Sequence, residues 1–141
     1  GWEPHKSIED SKEILHTVFM GNEGVFAMIL KENNSLVGSI GIIPDPKREN
    51  PRTRMLGYWL KECHWGKGIA SEAAHAVLDY GFNVLGLHLI SANCYPHNTR
   101  SRHLLERHGF VYEGILHEAE TTYDGHVYDH LCFYLKKEML R

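Results

Sequence analysis

Apolar residues recur along this chain with two different periods, and the switching between them predicts its elements. Near the front, Ile8, Lys12, Leu15 and Phe19 keep helical spacing, with Ser7 as a cap, Asp10 three residues on and Gly21 as a stop, so a helix is expected there. Residues 25–31 and 36–43 are apolar runs parted by Glu32-Asn33-Asn34-Ser35, which is a hairpin signal. From Pro44-Asp45-Pro46 through Pro51-Arg52 the chain reads as an exposed, mobile loop, and residues 53–61 as a third strand. Helical spacing then returns: Ile69, Ala73, Val77, Tyr80 and Val84 form one stripe, and Glu72, His75, Asp79 and Asn83 are expected on the wet side. Gly86 closes that helix, and residues 87–95 are β-rich. Asn98 reads as the cap of a second helix ending at Gly109, with Ser101, Leu104, Leu105 and His108 on one face. Residues 110–119 and 126–135 pair around Asp124-Gly125. Hairpin-joined strands followed by two strand–helix units predict an α/β (α+β) domain with a mixed sheet.

Composition adds mainly exclusions. The 141 residues suffice for one domain with a core, and no internal repeat, low-complexity segment or linker divides them. Fifteen basic and 18 acidic residues give a net charge of −3, so charge supplies no reason to expect nucleic acid as a partner. No apolar run approaches the ~18 residues of a membrane span, so no membrane partner is expected. Three widely spaced cysteines, Cys63, Cys94 and Cys132, read as free thiols in a reducing cytoplasm. Eleven histidines are many, yet His126 and His130 are the nearest approach to a ligand spacing, and no metal is expected.

Candidate chemistry starts at His64-Trp65-Gly66-Lys67-Gly68-Ile69-Ala70, which lies between the third strand and the helix at 69–84. A strand, a glycine loop and a helix start bring successive backbone N–H groups to one concavity, and the helix N-terminus adds partial positive charge. Glycine there lets an anion approach the backbone closely. The stretch lacks the third glycine of a dinucleotide fingerprint and the GxxxxGK[ST] spacing of a nucleoside-triphosphate loop.

Two segments together resemble the GNAT acetyltransferase superfamily. One is Gly57-Tyr58-Trp59-Leu60 followed by Trp65-Gly66-Lys67-Gly68-Ile69-Ala70-Ser71-Glu72-Ala73; the other is Asn98-Thr99-Arg100-Ser101 followed by Glu106-Arg107-His108-Gly109-Phe110. Within it the chain is similar to the branch that acetylates N-termini of ribosomal proteins, the RimJ/RimL type. The resemblance implies the GNAT acyl-CoA N-acyltransferase fold, a mixed, mostly antiparallel sheet flanked by helices. It also implies that residues 1–141 are a single domain lacking the family's first strand and helix, and part of the acceptor pocket with them. Cys63 stands where the family's loop often opens with Gln or Arg.

The resemblance further implies acetyl-CoA as donor, a primary amine as acceptor and direct transfer without a covalent enzyme intermediate. Gly66, Lys67, Gly68, Ile69 and Ala70 would hold the pyrophosphate through backbone N–H groups. Tyr58, Trp59 and Leu60 would present strand backbone to the pantetheine arm, with a bulge at Gly57 parting that strand from the next and a backbone N–H near Leu60 polarising the thioester oxygen. Asn98 would cap its helix and touch the cofactor arm. Many family members carry a tyrosine where this chain has Leu105, so Ser101 becomes the candidate hydrogen-bond donor to the leaving thiolate. Glu113, His117, Glu118, Asp129 and His130 are possible bases or pocket residues, none singled out. The acceptor is expected to be a protein N-terminal amine, from a ribosomal or other protein. A small-molecule amine and a non-catalytic acyl-CoA-binding module remain open, as does a homodimer through the last strands.

Overall fold

A tight turn makes the first clear hairpin. Asn34 takes a left-handed φ of 57° and donates its N–H to the Leu30 carbonyl at 2.8 Å, which reverses the chain between β3 (Val25–Leu30) and β4 (Leu36–Ile43). The computed structural model describes residues 8–9, 15–19 and 24–140. Before the hairpin lie β1 (Ile8–Glu9) and β2 (Leu15–Phe19); after it come β5 (Thr53–Leu60), α1 (Ile69–Asn83), β6 (Leu89–Cys94), α2 (Thr99–Arg107), β7 (Val111–Thr121) and β8 (Val127–Lys136). The strands form one eight-stranded sheet in the order β1-β2-β3-β4-β5-β6-β8-β7. Every neighbouring pair is antiparallel except β5 with β6. The mixed sheet that the pattern predicts, mostly antiparallel as the resemblance implies, is therefore present.

The helix expected at the front is not. Leu15–Phe19 pairs with β3 over five registers, from Leu15↔Leu30 to Phe19↔Phe26. Leu-His-Thr-Val-Phe suits a strand as well as a helix, and an open edge on β3 decides between them. Ser7, Asp10, Lys12 and Gly21, the supposed cap, first turn and stop, lie outside the described residues.

α1 lies on the sheet through Ile69, Ala73, Ala74, Val77, Leu78 and Phe82, all buried in one cluster with Met28, Ile40, Ile42, Leu56 and Ile90. Burying a side chain the size of Phe82 is worth about 1.5–3 kcal/mol. Gly81 permits the close approach: a Cβ there would meet Ile42 Cδ1 and Ile90 Cδ1 at 2.9 Å. Two stripe assignments fail. Val84 caps α1 beyond its last turn and is 67% exposed, whereas Glu72 is only 6% exposed. Glu72 sits in the first helical turn, where the helix dipole favours a carboxylate. His75, Asp79 and Asn83 are exposed as expected.

The loop at 44–52 departs from expectation too. Asp45 is 5% exposed and its Oδ2 accepts the Ser91 hydroxyl at 2.5 Å and Arg48 Nε at 3.1 Å, while Oδ1 accepts the Lys47 N–H at 2.9 Å. The loop is thereby tied to β6.

Candidate active site

The two halves of the sheet join through a short parallel seam that ends early. β5 pairs with β6 from Thr53↔Leu89 to Leu56↔Ala92 and no further, whereas β4 stays with β5 up to Gly38↔Leu60. The Lys61 N–H donates to the Val37 carbonyl at 2.9 Å. Backbone groups alternate sides along an antiparallel strand, so those of Tyr58 and Leu60 turn away from β4 and face the gap. Gly57 carries no bulge: it stays in register opposite Gly41 and is simply the first residue past the seam. The strands part past Leu56 and Ala92 while β6 stays paired with β8 through Cys94 and β5 stays in register with β4, so no inserted residue on β5 opens the gap.

The gap opens into a cleft of about 630 Å³. At one end lies the glycine loop. Gly66 and Gly68 have φ of 76° and 78°, and a Cβ on either would meet nothing within 4 Å. Glycine is needed there for backbone conformation, and the space before it is open. Gly68 is the N-cap of α1 and offers no side chain to the first turn, whose N–H groups are left for an external acceptor. The open space and the uncapped helix end suit a phosphate group.

α2 forms the facing wall. The Asn98 side chain accepts the Ser101 N–H at 3.0 Å, confirming the expected cap. Ser101 is 9% exposed, and its Oγ lies 3.4 Å from the Tyr58 hydroxyl across the cleft. At the mouth, the Trp65 indole donates to the Leu60 carbonyl at 2.8 Å, and the Arg100 guanidinium lies 4.7 Å from the ring centroid. Ser71 Oγ and His108 Nε2, 2.9 Å apart, tie the first turn of α1 to the end of α2. Burial, then neighbouring His75 and Arg107, pushes His108 below the ordinary imidazole value, so the ring is neutral near pH 7.

On the other side stand Tyr95, Glu120 and His130. Glu120 Oε2 accepts the Tyr95 hydroxyl at 2.8 Å, and Glu120 Oε1 lies 3.0 Å from His130 Nε2. The Tyr95 bond, then that of His130, holds the Glu120 carboxyl below the usual range. A bulge places Glu120. Leu116 pairs with His130 and Glu120 with Tyr128, so four residues of β7 span two of β8. Glu118 lies inside the bulge with φ 48°, and its N–H donates to Asp129 Oδ1 at 2.8 Å. Asp129 Oδ2 accepts from His117 at 3.1 Å.

Of the cofactor residues expected from sequence, Tyr58, Trp59, Leu60, Gly66, Gly68, Ile69, Ala70, Asn98 and Ser101 line the cleft, and Lys67 does not. Among the candidate bases only His130 lines it. Glu113 pairs instead with Arg48, and His117, Glu118 and Asp129 belong to the bulge. Sequence reasoning missed Glu120, Tyr95, Trp65, Ser71, Arg100 and Arg107 as cleft residues. Strict alternation from the Leu116–His130 pair puts Glu118, not Glu120, opposite Tyr128, and the two extra bulge residues overturn it. Among the described residues no group of three or more His, Cys, Asp or Glu side chains could hold a metal ion, and no helix is long and apolar enough to cross a membrane. Cys63, Cys94 and Cys132 are free thiols.

The sequence model of the acetyltransferase (GNAT) domain matches residues 1–111. An uncharacterized N-acetyltransferase p20 of Bacillus licheniformis is 34% identical over 138 residues, 95% of this chain and 76% of that protein. A ribosomal-protein-serine acetyltransferase of Escherichia coli is 32% identical over 136 residues, 93% of this chain and 72% of that one. A spermidine N(1)-acetyltransferase of Vibrio cholerae is 28% identical over 116 residues, 82% of this chain and 66% of that one. Among solved structures, Mycobacterium smegmatis RimJ in complex with CoA-disulfide superposes with a TM-score of 0.69, at 30% identity, over 82% of this chain and 54% of that one. The glycine loop, the parted strands and these matches agree: the chain belongs to the GNAT acetyltransferase family.

Proposed function

We propose that the protein transfers the acetyl group of acetyl-CoA directly to a primary amine, and that this amine is the α-amine of a protein N-terminus. The observation that carries the reading is the edge of β5 left unpaired past Leu56, with open space before Gly66 and Gly68 at one end and the Glu120–His130 pair at the other. Backbone N–H groups of Gly66, Gly68, Ile69 and Ala70 bind the diphosphate. Tyr58 and Leu60 offer main-chain partners to the pantetheine arm, and the Leu60 N–H polarises the thioester oxygen as charge develops on it. Asn98 holds Ser101 in place, and Ser101 hydrogen-bonds the leaving sulfur.

His130 Nε2 faces Glu120, which leaves Nδ1 as the lone-pair nitrogen to take the ammonium proton. Glu120 orients the ring. Burial pushes the Cys94 thiol above its ordinary value, so the cleft's own sulfur stays protonated, in keeping with direct transfer. An α-ammonium near pKa 8 surrenders its proton roughly 250-fold more readily than an alkylammonium near 10.4, which suits a site whose base is an imidazole. The name of the Escherichia coli relative, a ribosomal-protein-serine acetyltransferase, supports a protein as the acceptor.

Thiol release from acetyl-CoA tests the reading, with short peptides bearing free or blocked N-termini and with spermidine as acceptors. Free peptides should release thiol, blocked ones should not, and spermidine should be slower. Preference for spermidine would replace the acceptor; cofactor binding without release would leave a binding module.

A further inference from the structure

We infer that Tyr58 positions the Ser101 hydroxyl against the leaving sulfur and replaces the proton that Ser101 passes to it. The inference rests on the acetyl-transfer reading and deepens it.

A serine hydroxyl alone is too weak an acid to protonate a thiolate. It serves only as a relay, giving its own proton as it receives another. Tyr58 is the side chain that the structure pairs with Ser101 Oγ, at 3.4 Å, and both residues line the cleft. The contact runs from β5 to α2, so it spans the gap through which a thioester must pass. Asn98 fixes the backbone of Ser101 from behind, which leaves its hydroxyl to turn toward the cleft. Phenols and thiols are in general weak acids of comparable strength, so a proton can pass from one to the other through a hydroxyl at modest cost. Leu105, buried on the next turn of α2, has no proton to give.

The step balances. The amine nitrogen bonds to the carbonyl carbon and the carbon–sulfur bond breaks with its electron pair going to sulfur. Sulfur takes the Ser101 proton, Ser101 takes the Tyr58 proton, and His130 takes the proton from nitrogen. Water then restores Tyr58 and carries off the proton from His130.

Tyr58→Phe keeps the ring and removes only the hydroxyl. With acetyl-CoA and a free-N-terminus peptide, kcat should fall about 10–100-fold with roughly unchanged KM for acetyl-CoA. Ser101→Ala should show the same pattern, and the double variant should lose little more than either single one. An unaltered kcat in Tyr58→Phe, a loss carried by KM instead of kcat, or additive losses would overturn the inference. Absence of thiol release by the wild-type chain would remove the acetyl-transfer reading beneath it instead.

Discussion

Asp45 is the clearest case of one residue deciding a local structure. Proline and charge at 44–52 read as loop, and a loop carboxylate is ordinarily solvated. Here burial alone would raise its pKa, but the Ser91 hydroxyl, the Lys47 N–H and the charges of Lys47 and Arg48 together hold it below the usual carboxylate range. A carboxyl depressed in the folded state stabilises fully above the unfolded value near 3.9, and that stabilisation is lost as pH falls through the folded-state value. Asp45→Asn should therefore destabilise the protein by about 1–3 kcal/mol near pH 7, with part of the loss of stability below about pH 4 disappearing. Urea unfolding at pH 7 and at several acidic values measures both; equal stability of the two proteins at pH 7 would contradict it. The residue's identity was visible in the sequence, but its burial depends on Ser91, a partner from a distant strand.

Among elements, the loop–helix unit was legible and the β7 bulge was not. Gly66-Lys67-Gly68 leads into a helix within the span of its own residues, so spacing alone locates it. Gly68→Asp keeps a residue type that tolerates a left-handed φ but sets a carboxylate in front of the helix end. Affinity for CoA should drop at least about 10-fold with the circular dichroism of the helices unchanged; unaltered affinity in calorimetry would remove the phosphate assignment. The bulge depends on Asp129, which accepts the Glu118 N–H from the opposite strand. That bond, then His117, holds the Asp129 carboxyl below its ordinary value. Asp129→Ala should release the bulge and misplace Glu120 beside His130. The expected result is a kcat lowered about tenfold with thermal stability changed by only a few degrees. Steady-state kinetics beside a melting curve decides it, and wild-type kcat in the variant would separate the bulge from the chemistry.

For the whole molecule, the parallel seam is the feature that makes a binding cleft out of a sheet. Four register pairs join β5 to β6, and past Leu56 the strands diverge while the helices α1 and α2 stand on either side of the opening. Hydrogen exchange should show Met55 and Leu56 protected without ligand, with Tyr58 and Leu60 gaining protection when CoA is added. Equal exchange at Tyr58 and Leu60 with and without CoA would mean that the gap does not hold the pantetheine arm.

Local periodicity determined six of the strands, both described helices and the glycine loop, because each is specified by residues a few positions apart. It also sufficed for the cap at Asn98 and the placing of Ser101 on the inner face of α2. Tertiary structure alone decided that residues 15–19 are a strand, since an open edge on β3 outweighed a helical spacing. It likewise decided that Glu120 rather than Glu118 meets His130, and that Tyr58 meets Ser101. Those outcomes rest on strand pairing and register between segments far apart in the chain, which no pattern within either segment encodes.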